Sequence, residues 1–189
     1  MDDERKMKVL LFAGSLRKAS LNKKLVGVAD DVLKKINGVE ATVIDLQALQ
    51  FPVYDGDIEE KGIPEGVTKL AKAIEASDAL VISSPEYNGS ISGVFKNTID
   101  WVSRVKPMPL TKKHILLLGA SPGELGAMRG LLHDRAPLEA LGNFVYPQPY
   151  GLPKADKAFD QNNKLVDADR LERLEKLIKA FVEHTQKHL

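Results

Sequence analysis

The sequence predicts an α/β fold, a five-stranded parallel sheet of strand order 2-1-3-4-5 with helices on both faces. Two observations predict it. Short apolar, β-rich runs alternate with helical patterns from one end of the chain to the other. The most hydrophobic run, Ile-Leu-Leu-Leu at 115–118, is apolar without a break, as a parallel strand covered on both faces must be.

Taken in order, residues 8–13 read as the first strand and 21–36 as a helix. The stretch 39–45, Val-Glu-Ala-Thr-Val-Ile-Asp, alternates as a half-buried strand does, and 64–76 reads as a helix ending before Asp78. A continuous apolar strand at 79–83 precedes a helix over about 93–104, and the strand at 114–120 precedes a helix over about 126–141. A short fifth strand falls near 144–147. The final helix, 168–188, carries Leu171, Leu174, Leu177, Ile178, Phe181 and Val182 at helical spacing, with Asp167 as its cap. Pro and Gly gather between these elements, and neither a repeat nor a low-complexity segment is present. A chain of 189 residues with 43% hydrophobic content suits one well-buried domain over 1–189.

Composition narrows the function. Lys+Arg 27 against Asp+Glu 26 leaves a net charge of +1, which supports neither nucleic-acid binding by bulk charge nor the acidic surface of an electron carrier. With Cys 0, thiol nucleophiles, disulfides and thiolate metal sites are excluded, and a reducing cytoplasm is the expected setting. No apolar run approaches the ~20 residues that span a bilayer, so no membrane partner is expected.

In an open parallel sheet, ligands sit beyond the carboxyl ends of the strands, where strand order reverses. For the five-strand order 2-1-3-4-5, that point lies between the first and third strands, at the loops 14–22 and 84–90. The first loop feeds Ser15, Arg17, Ser20 and Asn22 into a helix start. A helix amino terminus offers free N–H groups and a favourable dipole, so this loop is suited to a phosphate. The alternative is a serine-capped helix with solvated lysines. It matches neither Walker A nor Gly-x-Gly-x-x-Gly. The second loop, Ser84-Pro85-Glu86-Tyr87-Asn88-Gly89-Ser90, is a rigid turn whose main-chain groups can meet the edge of a flat heterocycle beside Tyr87. An ordinary connection with a structural tyrosine reads equally well. The third loop, Gly119-Ala120-Ser121-Pro122-Gly123, matches the Gly-x-Ser-x-Gly nucleophile elbow. That mechanism needs a backbone N–H from the residue after the nucleophile, and Pro122 has none, so the hydrolase reading fails. Ser121 reads instead as a small hydrogen-bonding residue where the sheet meets its ligand. The histidines His114, His133, His184 and His188 show no metal-ligand spacing, and the acidic residues offer no catalytic pair, so no side chain is assigned as catalytic. An anion site without a catalytic dyad suits a protein whose chemistry is carried by a cofactor.

Three motifs in order, Gly14-Ser15-Leu16-Arg17-x-x-Ser20-x-Asn22, Pro85-Glu86-Tyr87-Asn88 and Lys96-Asn97-x-Ile99-Asp100-Trp101, resemble the NADPH-dependent FMN reductases, flavodoxin-like proteins that include bacterial chromate, quinone and azo reductases. The resemblance runs over nearly the whole chain. It implies a flavodoxin-like three-layer sandwich and FMN as cofactor, with NADPH or NADH as co-substrate. It implies that Ser15, Arg17, Ser20, Leu21 and Asn22 hold the phosphate, that the isoalloxazine edge meets Pro85, Glu86, Tyr87 and Asn88, and that Ser121 and Gly123 close the far side. It further implies ping-pong transfer from NAD(P)H through FMN to a small-molecule acceptor such as a quinone, free flavin, azo compound or chromate. A homodimer or homotetramer is implied, with the helix carrying Trp101 and the one after Gly126 as contacts. One departure stands out: where the family commonly shows Gly-Gly-x-Arg, this chain reads Gly126-Ala127-Met128-Arg129. Two other readings remain: a flavodoxin-type carrier that binds FMN without oxidising NAD(P)H, against which Arg17 and the +1 balance speak, and a domain holding another phosphorylated ligand.

Overall fold

The computed structural model describes residues 5–189. Its elements in order are β1 (Met7–Ala13), α1 (Leu21–Leu33), β2 (Val39–Ile44), α2 (Leu46–Leu49), α3 (Gly56–Glu59), α4 (Glu65–Glu75), β3 (Ala79–Ser83), β4 (Glu86–Tyr87), β5 (Ser90–Ile91), α5 (Gly93–Val102), β6 (His114–Ala120), α6 (Met128–Ala140), β7 (Phe144–Val145), β8 (Tyr150–Leu152) and α7 (Ala168–Gln186). The main sheet runs β2-β1-β3-β6-β7, with β8 also paired to β6, and its pairings are parallel. The expected order 2-1-3-4-5 is the observed one once the hairpin β4–β5, a separate two-stranded sheet, is set aside.

Strand alternation sorts the core into two layers. On one face Val9, Leu11, Val81, Leu116 and Leu118 pack against Leu25 and Ala29 of α1 and Ile178 and Phe181 of α7. On the other, Leu10, Phe12, Leu80, Ile82 and Leu117 pack against α4, α5 and α6 through Leu70, Phe95, Ile99 and Leu131. Every residue of β3 and β6 is buried, as the unbroken apolar runs predict.

The fifth strand differs from expectation. It is divided into β7, paired with the start of β6 (His114↔Phe144), and β8, paired with its end (Leu118↔Tyr150). Pro147 and Pro149 lie between them and have no N–H to give a ladder. The short helices α2 and α3 were not foreseen; each starts at an aspartate, Asp45 and Asp55, whose carboxylate accepts an amide two residues on. Asp167 caps α7 as expected, accepting from Arg170 N at 3.1 Å. Among the described residues no helix is long and apolar enough to cross a membrane.

Candidate functional site

The carboxyl ends of β1, β3 and β6 open on a pocket of about 90 Å³. It is lined by Ser15, Arg17, Ser20, Leu21, Asn22, Pro85, Glu86, Tyr87 and Ser121, with Ala120 and Pro122. Three loops singled out separately in the sequence thus meet at one place. Asn88 and Gly123 are outside the lining; Asn88 forms the tip of the β4–β5 turn.

The first loop supplies the groups that could hold an anion. Ser20 is the extended N-cap of α1, and its Oγ accepts from Lys23 N at 3.4 Å while its carbonyl accepts from Lys24 N. The backbone N–H groups of Leu21 and Asn22, one residue further out, have no acceptor among the described residues. Both residues line the pocket, at the positive end of the helix dipole. The lysines that follow are committed elsewhere: Lys23 Nζ pairs with Asp45 at 2.7 Å, and Lys24 sits over the Phe159 ring. Arg17 is exposed on the rim and has no carboxylate partner among the described residues.

The Asn22 side chain works differently from expectation. It is buried, and its Nδ2 donates to Ala120 O at 3.0 Å, while its Oδ1 accepts from Ala120 N at 2.9 Å and from Ser83 Oγ at 2.8 Å. It braces the ends of β3 and β6 against α1. What Asn22 keeps free for a ligand, among the described residues, is its main-chain N–H.

The second loop is a two-residue hairpin, Tyr87↔Ser90, whose turn residues Asn88 and Gly89 have φ of 53° and 73°. Asn-Gly is the pair such a turn prefers. Tyr87 is 47% exposed beside the pocket. Glu86 points its side chain the other way. Its carboxylate accepts from Arg129 N at 3.1 Å and Gly130 N at 3.2 Å and pairs with the Arg129 guanidinium at 2.6 Å. Burial raises the Glu86 carboxyl, but the Arg129 guanidinium and the two amides outweigh it and hold it below its ordinary range. Glu86 thereby caps α6 from another element, leaving its own backbone at the pocket. Close approach makes this possible: a Cβ on Gly130 would lie 3.0 Å from Glu86 Cα.

That borrowed cap answers the departure at Ala127. The residue is the N-cap of α6 with φ of 72°, and its methyl can cap nothing. This is the left-handed region that glycine occupies without cost and alanine does not. Ala127→Gly is expected to raise the melting stability of the protein by about 1 kcal/mol, read by denaturant titration; an unchanged midpoint refutes the strain.

Ser121 closes the far side. Its Oγ accepts from Gly123 N at 3.1 Å, and its backbone ties to Leu152 and Ala155. No histidine reaches it among the described residues; His133 lies against Ser90 Oγ at 2.9 Å, and His184 and His188 pack edge-on and tilted against His114 at the opposite end of the sheet. The third motif is structural. Trp101 is fully buried, and its Nε1 and Asn97 Nδ2 both donate to Pro52 O, while Asn97 Oδ1 accepts from Tyr54 N at 2.7 Å. Among the described residues no group of side chains is arranged to hold a metal ion.

A parallel sheet with a pocket at the strand-order reversal, built from a helix start and a rigid turn rather than a glycine-rich loop, defines the flavodoxin-like class. Residues 7–157 match the profile of the NADPH-dependent FMN reductases, and the chain belongs to that family. It is 36% identical to the quinone reductase of Escherichia coli K12, over 96% of this chain and 97% of that one. It is 34% identical to an NAD(P)H-dependent FMN reductase of Pseudomonas aeruginosa, over 93% of each. Among solved structures, the flavoenzyme NAD(P)H:(acceptor) oxidoreductase of Paracoccus denitrificans superimposes with a TM-score of 0.83 at 31% identity, covering 96% of this chain and 98% of its own. The chain is an FMN-dependent NAD(P)H oxidoreductase, not a plain flavodoxin.

Proposed function

We propose that the pocket between 14–22 and 84–88 holds the phosphate of FMN, and that the protein passes reducing equivalents from NAD(P)H to a small acceptor of the quinone class. The carrying observation is the donor set: two free amides at the start of α1, the Ser15 and Ser20 hydroxyls and the unpaired Arg17 converge on one hollow of about 90 Å³. That hollow has room for a phosphate and the start of its sugar chain, not for a three-ring system. The Pro85–Asn88 turn and Tyr87 beside it would hold the ring.

When bound, FMN supplies hydride acceptance from NAD(P)H and electron delivery to the acceptor. The chain's own residues bind and orient. Arg17 and the α1 amides neutralise the phosphate; the hairpin, fixed through Glu86 to α6, offers main-chain groups to the ring edge where charge collects on reduction. No side chain has to move a proton. An open face selects its acceptor weakly, so quinones, free flavin, azo compounds and chromate are all accepted. The name of the Escherichia coli relative favours quinones among them. Because both substrates use one face in turn, steady-state lines for NADPH and a quinone are expected to run parallel; intersecting lines overturn the scheme.

Arg17→Ala tests the site itself. A guanidinium–phosphate contact is worth about 1.5–3 kcal/mol, so FMN affinity is expected to fall about 10- to 150-fold by fluorescence titration. Unchanged affinity removes the assignment. A cytoplasmic setting agrees with the cysteine-free chain, and the exposed Leu125 and Leu132 flanking the start of α6 support a homodimer or homotetramer.

A further inference from the structure

A second cavity adjoins the phosphate loop. It measures about 450 Å³, and its apolar walls are Leu16, Leu46, Phe51, Val53 and Val94. That volume is within the range of small-molecule sites. No ionisable side chain lines it. Two of its three amides are committed: Asn97 to Tyr54 N and Pro52 O, and Gln47 Oε1 to Lys23 Nζ at 3.3 Å. The third, Gln50, is exposed. Around the same cavity Leu16 stays 45% and Val53 80% exposed, and large apolar side chains left together in water mark a binding surface.

The walls are set before any ligand arrives. Trp101 Nε1 and Asn97 Nδ2 both hold the carbonyl of Pro52, between Phe51 and Val53. Helix α4 presses on the end of α2 so closely that a Cβ on Gly66 would collide with Leu49 O. Gly93, by contrast, leaves part of the wall open. A Cβ there would meet nothing within 4 Å, and its φ is one that any residue adopts, so nothing in the fold requires glycine at that position.

We propose that this cavity receives the hydrocarbon tail of an alkyl- or prenyl-substituted quinone whose ring meets the flavin. This rests on the reading that the 14–22 loop and the Pro85–Asn88 turn hold FMN. The cavity borders both of them. Leu16 stands between Ser15 and Arg17, and Ser92, the cap of α5, follows directly on β5 and donates its Oγ–H to Gly14 O at 2.8 Å. Charge decides the occupant. A wall without ionisable groups offers nothing to chromate, to a sulfonated azo dye or to the phosphates of NAD(P)H, each of which would lose water without gaining a partner. A hydrocarbon tail loses only its unfavourable contact with water. The cavity thus adds a preference that the flavin's own reactivity does not supply, for neutral acceptors with an apolar substituent.

Two readouts test this, the first without cofactor. Trp101 is the only tryptophan of the chain and is bonded to Pro52 between two wall residues, so a quinone drawn into the cavity quenches its emission. The apo-protein is titrated with benzoquinones carrying alkyl tails of increasing length. Their Kd is expected to fall about twofold to fourfold per methylene until the cavity is full. Gly93→Leu puts a side chain into the open wall and should flatten that dependence. Val53→Gln, at an exposed position where folding is not at stake, should raise the Kd of every tailed quinone. The second readout is the KM for the same series in the FMN-loaded protein, which should follow tail length in the wild type and not in Gly93→Leu. A dependence that survives Gly93→Leu, or a wild type that shows none, overturns the proposal while the FMN site stands; tails held at Leu125 and Leu132, or a cavity covered by a second copy of the chain, would show themselves in this way. If the protein takes up no FMN, the cofactor reading falls, and the proposal, which needs the flavin beside the cavity, falls with it.

Discussion

Asn22→Ala is expected to unfold the protein at markedly lower denaturant, with a loss of about 3–6 kcal/mol. The Asn22 side chain satisfies Ala120 N, Ala120 O and Ser83 Oγ, all of them buried. Alanine leaves those three without partners, and an orphaned buried group costs about 1–3 kcal/mol. The variant separates two roles that its sequence position cannot. A residue that served only to bind phosphate would leave apo-protein stability unchanged and weaken FMN alone. A brace destabilises the apo-protein, and through it the geometry of the whole loop. Urea titration of the cofactor-free protein decides, and a shift below about 1 kcal/mol would return Asn22 to the ligand's direct contacts.

The second large effect is a pH-dependent gain in stability on replacing Asp134 by asparagine. Asp134 is completely buried on α6, and burial pushes its carboxyl up to about 7 against 3.8 for an ordinary aspartate, so the folded chain holds the proton more tightly than the unfolded one. A raised pKa contributes its full stability below about pH 4, and that contribution is lost as pH climbs through about 7. The displacement corresponds to about 4 kcal/mol. Asparagine has no proton to lose, so the stability of Asp134→Asn relative to wild type should widen with pH between these limits and level off above them. Thermal melts of both apo-proteins across that window check it. A constant difference would mean that Asp134 reaches water or a cation.

The fold and the place of the pocket were largely legible in the sequence, because the elements follow from local rules. Apolar runs and turn residues gave the strands, the flavodoxin-like resemblance gave their order, and that order gave the location of the pocket. Nine of the eleven expected residues line it. What was not legible depends on contacts between distant segments. Asn22 beside a serine cap looks like an anion donor; only the approach of Ala120, 98 residues away, reveals the brace. Glu86 in a cofactor turn looks like a ligand until Arg129 and Gly130 arrive to be capped. Asp134 lies between His133 and Arg135, in a helix whose sequence carries no clean apolar stripe, so its burial left no trace in the pattern. The split of the fifth strand, by contrast, was written in Pro147 and Pro149, and only their effect on pairing was missed.

That split has a consequence for the molecule among its neighbours. The outer border of a sheet is a ready template on which another chain can lay its own backbone, the first step toward fibres and precipitates. Here that border is interrupted by prolines into stubs of two and three residues, Phe144–Val145 and Tyr150–Leu152, too brief for a foreign strand to grip. That border is thus closed to edge-to-edge zipping, and only the opposite border, the six-residue strand β2, is long enough to receive a foreign strand.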